Sequence, residues 1–93
     1  MNKYESMYIL KPNLDEETRT AMVEKFKSLV EDNGGKVENV DEMGQRKLAY
    51  EINYITEGYY VLMTFESPPE FPEELERIYN INDSVLRYNV IRL

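Results

Sequence analysis

A chain of 93 residues with 42% apolar and 31% charged content has the makings of one folded domain with a core, and is too short for two. It contains no cysteine and no histidine, which excludes a disulfide framework, a thiolate metal site and the commonest general base. The net charge of −7 is the opposite of the basic balance that usually accompanies nucleic-acid binding.

The first element is a strand over residues 3 to 10, where Tyr4, Tyr8, Ile9 and Leu10 supply aromatic and β-branched types before the turn at Lys11-Pro12-Asn13. Asp15 then has the chemistry of a helix N-cap. Glu16 and Glu17 follow it, where the helix dipole favours negative charge. Met22, Phe26, Leu29 and Val30 recur at helical spacing until Asn33-Gly34-Gly35 stops the helix.

From Lys36 to about Ile52 the pattern alternates, with Val37, Val40, Leu48, Tyr50 and Ile52 assigned to one side; Gly44 interrupts it at a bulge or bend. Residues 53 to 58 are expected to form a hairpin connection into a strongly β-prone run from Tyr59 to Phe65. Prolines 68, 69 and 72 open a second helix, whose stripe is Phe71, Leu75, Ile78 and Tyr79. A turn over Asn80 to Ser84 leads to a last strand, Val85 to Leu93.

The order βαββαβ predicts an α+β, ferredoxin-like fold spanning residues 1–93 as a single domain. Right-handed crossovers put both helices on one face of a four-stranded antiparallel sheet and leave the other face bare. Period-two assignment turns Tyr4, Tyr8, Leu10, Leu48, Tyr50, Ile52, Tyr59, Val61, Met63, Phe65, Leu86, Tyr88 and Val90 toward the helices. The bare face is then Met7, Ile9, Tyr60, Leu62 and Ile91, with Lys3, Lys47 and Arg87 at its margin. An apolar patch of that kind on a small domain marks a partner-binding surface.

Charge separates the same two layers. Glu16, Glu17, Glu24, Glu31 and Asp32 fall in the first helix, and Glu70, Glu73, Glu74 and Glu76 at the second. The cations Lys3, Arg46, Lys47, Arg87 and Arg92 fall in strands. No Gly-rich phosphate loop, nucleophile elbow or metal-ligand cluster appears, so neither an enzyme nor a bound cofactor or metal is expected. Glu57 to Phe65 compares poorly with the base-stacking strand of RNA-recognition domains, because Glu57 stands where a cation belongs and Tyr60 where a small residue belongs. The start Met-Asn-Lys-Tyr-Glu shows no apolar signal region, which predicts a soluble cytoplasmic protein without a membrane segment.

Several stretches together resemble a known family. They are Tyr4-Glu5, Pro12-Asn13-Leu14-Asp15, Gly34 with Lys36-Val37, Gly44-x-Arg46-Lys47-Leu48-Ala49-Tyr50, Gly58-Tyr59-Tyr60 and Asn82-Asp83-Ser84-Val85-Leu86-Arg87-Tyr88. In this collinear set the chain resembles the S-six family of bacterial small-subunit ribosomal proteins. The resemblance implies a non-catalytic, cytoplasmic component of the small ribosomal subunit that binds small-subunit ribosomal RNA together with ribosomal protein S-eighteen. It implies RNA contacts at Lys3, Arg46, Lys47 and Arg87, with Arg92 added from its place in the last strand, and no small-molecule substrate. A basic partner that neutralises phosphate would reconcile RNA binding with an acidic chain. Two departures stand out: Glu51 occupies a position that is often proline in the family, and the sequence stops at Leu93, which implies a smaller partner interface than a tailed relative has. The alternative reading from another class is a ligand-sensing or homodimerising ferredoxin-like domain that uses the same open face.

Overall fold

The computed structural model describes residues 1–93 and holds six elements: β1 (Asn2–Leu10), α1 (Glu16–Asp32), β2 (Lys36–Ile52), β3 (Ile55–Ser67), α2 (Phe71–Ile81) and β4 (Val85–Arg92). The sheet order is β2-β3-β1-β4 and every pairing is antiparallel, so the fold is the ferredoxin-like one that the element order predicts. Local chemistry sets the boundaries. The Asp15 carboxylate accepts from the Thr18 backbone N–H at 2.7 Å and opens α1. At the other end the Gly35 N–H returns to the Val30 carbonyl at 2.9 Å and closes it. Pro72 sits in the first turn of α2, where a missing donor is harmless.

Both helices lie on one side of the sheet. Tyr4, Tyr8 and Leu10 of β1 and Val61, Met63 and Phe65 of β3 form one buried cluster with Val23, Phe26 and Val30 of α1 and Phe71, Leu75 and Tyr79 of α2. Val23 is buried although the expected stripe passed through Met22, which is half-buried beside it. At the centre of the cluster Tyr8, Phe26 and Tyr79 meet edge-on or tilted, with ring centroids 4.8–5.2 Å apart, a geometry that suits the ring quadrupoles. The Tyr79 hydroxyl shares a 2.7 Å hydrogen bond with Ser6 Oγ, whereas the Tyr8 hydroxyl is buried with no partner. Burial therefore pushes both phenols well above the ordinary tyrosine value.

Three features differ from the alternating pattern. In β4 the pairing with β1 slips between Ile9 and Leu10, so Val85, not Leu86, sits opposite Leu10 and joins the core. The expected loop over residues 53 to 58 shrinks to the two residues Asn53 and Tyr54, and β3 begins at Ile55. Both turn residues have positive φ (49° and 67°), the signature of the tight turn whose twist matches a hairpin. The ends of β2 and β3 thus project past the first strand as a two-stranded arm, because β1 pairs with β3 no further than Leu10 opposite Tyr59.

The third difference lies in β2, whose register shifts three times. One shift falls between Glu42 and Gly44, where Gly44 adopts φ +94°, so the interruption visible in sequence is a bulge. The largest falls between the Lys47–Glu57 and Ile52–Ile55 pairs, where five residue steps of β2 face two of β3. The surplus chain bows outward. A bow of that size cancels any period-two assignment beyond it, and Leu48, Tyr50 and Ile52 do not join the core.

Candidate docking and nucleic-acid interface

Residues directly opposite one another in an antiparallel pair point to the same face, so the register defines the open side row by row. Met7 faces Leu62 on β3 and Asn89 on β4; Ile9 faces Tyr60 and Arg87; Glu5 faces Thr64 and Ile91. Across β3, Asp41 lies opposite Leu62 and Asn39 opposite Thr64. The middle of this face is apolar, as the alternation requires. Met7, Tyr60 and Leu62 are half-buried and Ile91 is 45% exposed.

Ile9 behaves differently. Its expected exposure is not realised: it retains 8% of its accessible surface, and Leu48 retains 7%. The bowed segment of β2 folds back over the open side, and Ile9, Leu48, Tyr50, Ile52, Tyr60 and Arg87 line a small hollow of about 80 Å³ there. The bow thus roofs one end of the open face with the protein's own chain. Tyr50, assigned to the core from its spacing, is 59% exposed, and its ring carries the Arg87 guanidinium 4.6 Å from its centroid. Beside the roof, Met7, Ile9, Arg87, Tyr88 and Asn89 bound an open hollow of about 320 Å³. The accessible apolar surface of the open face is therefore Met7, Leu62, Tyr60 and Ile91, without Ile9.

The five predicted cations do not form one patch. Arg46 and Lys47 are exposed on the arm with no carboxylate in ion-pair range, and register puts Arg46 opposite Gly58 on the open side and Lys47 on the other. Arg87, on the opposite edge strand β4, reaches the bowed segment through the Tyr50 ring. Lys3 lies at the far end of β1, roughly 20 Å from Ile9 at strand rise, and its ammonium is held 3.3 Å from Glu38. Arg92 is opposite Tyr4, hence on the helix side, and reaches Asn2 Oδ1 at 3.4 Å. The sheet thus carries Arg46 and Lys47 on the arm, where Glu51 and Glu57 are exposed as well and Glu57 lies directly opposite Lys47, and a partly neutralised pair of cations at the chain termini.

Two acidic positions escaped the reading by residue type. Glu5 and Asp41 share the open face with the apolar row, on β1 and β2, and neither makes an ion pair. Their faces follow from the register alone, and for Asp41 that register depends on a bulge, so only the missing parity step hid it. On the helix side Tyr59 donates to Glu42 at 2.9 Å and supports the Arg19 guanidinium at 4.3 Å, tying α1 to β3 and β2 at the base of the arm. Desolvation, then the bond to Glu42, raises the Tyr59 phenol above its ordinary value.

The family model described as Ribosomal protein S6 matches residues 3–92. The small ribosomal subunit protein bS6 of Clostridium novyi (strain NT) is 55% identical over 91 residues, covering 98% of this chain and 96% of that protein. The one from Caldanaerobacter subterraneus subsp. tengcongensis is 54% identical over 92 residues, covering 99% and 97%. The crystal structure of 30S ribosomal protein S6 from Thermotoga maritima superposes with a TM-score of 0.93 at 38% identity, covering 99% of this chain and 87% of that one. The agreement runs through sequence, topology and length at once, and the chain belongs to the ribosomal protein S6 family, a structural and non-enzymatic component of the small ribosomal subunit.

Proposed function

We propose that this protein binds small-subunit ribosomal RNA jointly with a basic partner protein seated on the open sheet face, and that the partner is ribosomal protein S-eighteen. The observation that carries the reading is the uncovered apolar patch of Met7, Leu62, Tyr60 and Ile91 beside the unpaired carboxylates of Glu5 and Asp41. Apolar side chains supply contact area, and the two carboxylates select a cationic neighbour. A second copy of a chain carrying −7 is a poor occupant for the same face, because the two would repel.

The partner also resolves the charge problem. Affinity for RNA comes largely from counterion release on phosphate neutralisation, which an acidic chain supplies poorly alone. Arg46 and Lys47 on the arm, Arg87 at the bowed segment, and Lys3 and Arg92 at the opposite end contribute phosphate contacts that position the protein with little reading of base sequence. Specificity then rests on RNA shape and on the partner.

Filter binding of a central-domain fragment of small-subunit RNA, with and without the partner and at two salt concentrations, tests this. Weak binding alone and tight binding with the partner is the expected result. Equal nanomolar affinity in both conditions, or a stable homodimer in size-exclusion chromatography that buries the sheet face, contradicts it.

A further inference from the structure

Away from the open face, the β1–α1 turn and the far end of the arm flank an open cleft of about 450 Å³, within the range of small-ligand sites. One wall is Lys11, Pro12 and Asn13; the other runs from Tyr54 to Glu57. Tyr54 is the second turn residue, with φ +67°, and the residue is 92% exposed. That left-handed conformation is costly for an aromatic residue, and here the ring, almost wholly in solvent, pairs with no other ring and lies under no cation that would offset it. Glycine at this position would make the hairpin turn the most favoured of its type. A bulky ring held in solvent at the expense of the turn has its use outside the chain.

The chemistry around the ring defines that use. Lys11 is half-buried at the cleft and has no carboxylate in ion-pair range. Asn13 adds an exposed amide that both donates and accepts. Glu57 on the opposite wall already accepts from Gln45 at 2.8 Å, and its charge keeps phosphate to the Lys11 side. An exposed aromatic face, one free cation and one amide around a nucleotide-sized cleft match the way single-stranded RNA is held, by stacking a splayed base and neutralising its phosphate. We infer that the cleft between the arm tip and the β1–α1 turn takes one unpaired RNA nucleotide, with its base on the Tyr54 ring and its phosphate at Lys11. This site rests on the RNA-binding reading given above and adds a contact that neither the sheet face nor the strand cations supply.

The backbone strain makes the test unusually sharp, because one substitution should move stability and binding in opposite directions. Tyr54→Gly relieves the left-handed residue and removes the ring, so the midpoint of thermal unfolding rises. Affinity of the reconstituted protein–partner–RNA complex should fall by roughly 5- to 140-fold, the usual worth of one stacked base. Tyr54→Phe retains the affinity. Lys11→Gln lowers it and reduces the salt slope by about one. Wild-type affinity in Tyr54→Gly overturns the nucleotide site and leaves the wider reading intact. Weaker binding of Tyr54→Gly to the partner alone, with RNA absent, also overturns it and assigns the cleft to a protein contact. A wild-type protein that fails to join RNA even with the partner present removes the wider reading and this site with it.

Discussion

Gly58 lies on the open side of β3 directly beneath the bowed segment of β2, and adding a single methyl there tests whether that roof is where the structure puts it. A Cβ at this position would overlap Ile9 Cγ2 and would come within 3.3 Å of the Leu10 carbonyl and 3.4 Å of Leu48 Cδ2. Ile9 and Leu48 are both nearly inaccessible, so neither can swing into solvent to make room. Overpacking of this kind costs about 1–3 kcal/mol. For a domain of this length that corresponds to a fall of roughly 5–20 °C in unfolding midpoint. Calorimetry of Gly58→Ala measures it directly. Ile9→Ala alone should cost about 2–5 kcal/mol through the cavity it leaves. In the Gly58→Ala background it should cost about 1–3 kcal/mol less, since the new methyl fills part of that cavity. A Gly58→Ala protein that melts with the wild type, or strictly additive costs in the double variant, would place the bow elsewhere and restore Ile9 to the accessible part of the open face.

Other consequences concern the core and the caps. Tyr8→Phe removes a buried hydroxyl that has no partner and should stabilise the fold by about 1 kcal/mol in urea denaturation. Tyr79→Phe does the reverse, stranding Ser6 Oγ at a cost of about 1–3 kcal/mol. A loss of stability in the first variant would mean that its hydroxyl is satisfied after all. Both phenols are raised by burial, so their contribution is complete below pH 10, the ordinary tyrosine value, and fades as the unfolded chain ionises above it. In acid the sign inverts. The bond from Thr18 lowers Asp15, and Arg77 lowers Glu74, so the stability these carboxylates add is present above their unfolded values and disappears as pH falls through the folded ones. Asp15→Ser keeps a capping oxygen without the titration, and a pH series of melts should show a flatter acid limb in that variant.

Element order, both helices and the side on which they pack were legible because each carries its own local signal: Asp15 as a cap, the Phe26–Val30 stripe, the prolines ahead of Phe71. Strands β1 and β3 were legible as well, since Tyr4, Tyr8, Val61, Met63 and Phe65 alternate without interruption. Strand β2 was not. Period-two reasoning carries a face assignment forward only while the register holds, and the bulge at Gly44 was visible whereas the five-against-two mismatch after Lys47 was not. Leu48, Tyr50 and Ile52 were misassigned for that reason, and the roofing of Ile9 follows from the same bow. In the candidate site the apolar residues were easier to find than the charged ones. Hydrophobic residues at outward positions are conspicuous, but Glu5 and Asp41 read as ordinary surface until the register sets them beside Met7 and Leu62. Tyr54 was hidden because its strain is a backbone angle.

A basic partner seated, as proposed, on the bare side of the sheet and not on the acidic helical layer should be sensitive to a charge introduced there. Isothermal titration of the partner into Leu62→Glu, with Glu24→Lys on the exposed surface of α1 as the control, addresses it without RNA. At least about a tenfold loss of affinity is expected for Leu62→Glu, the equivalent of roughly 1.4 kcal/mol, with the fold intact by circular dichroism and near wild-type binding by Glu24→Lys. Undiminished binding by a well-folded Leu62→Glu, or a loss confined to Glu24→Lys, would contradict it.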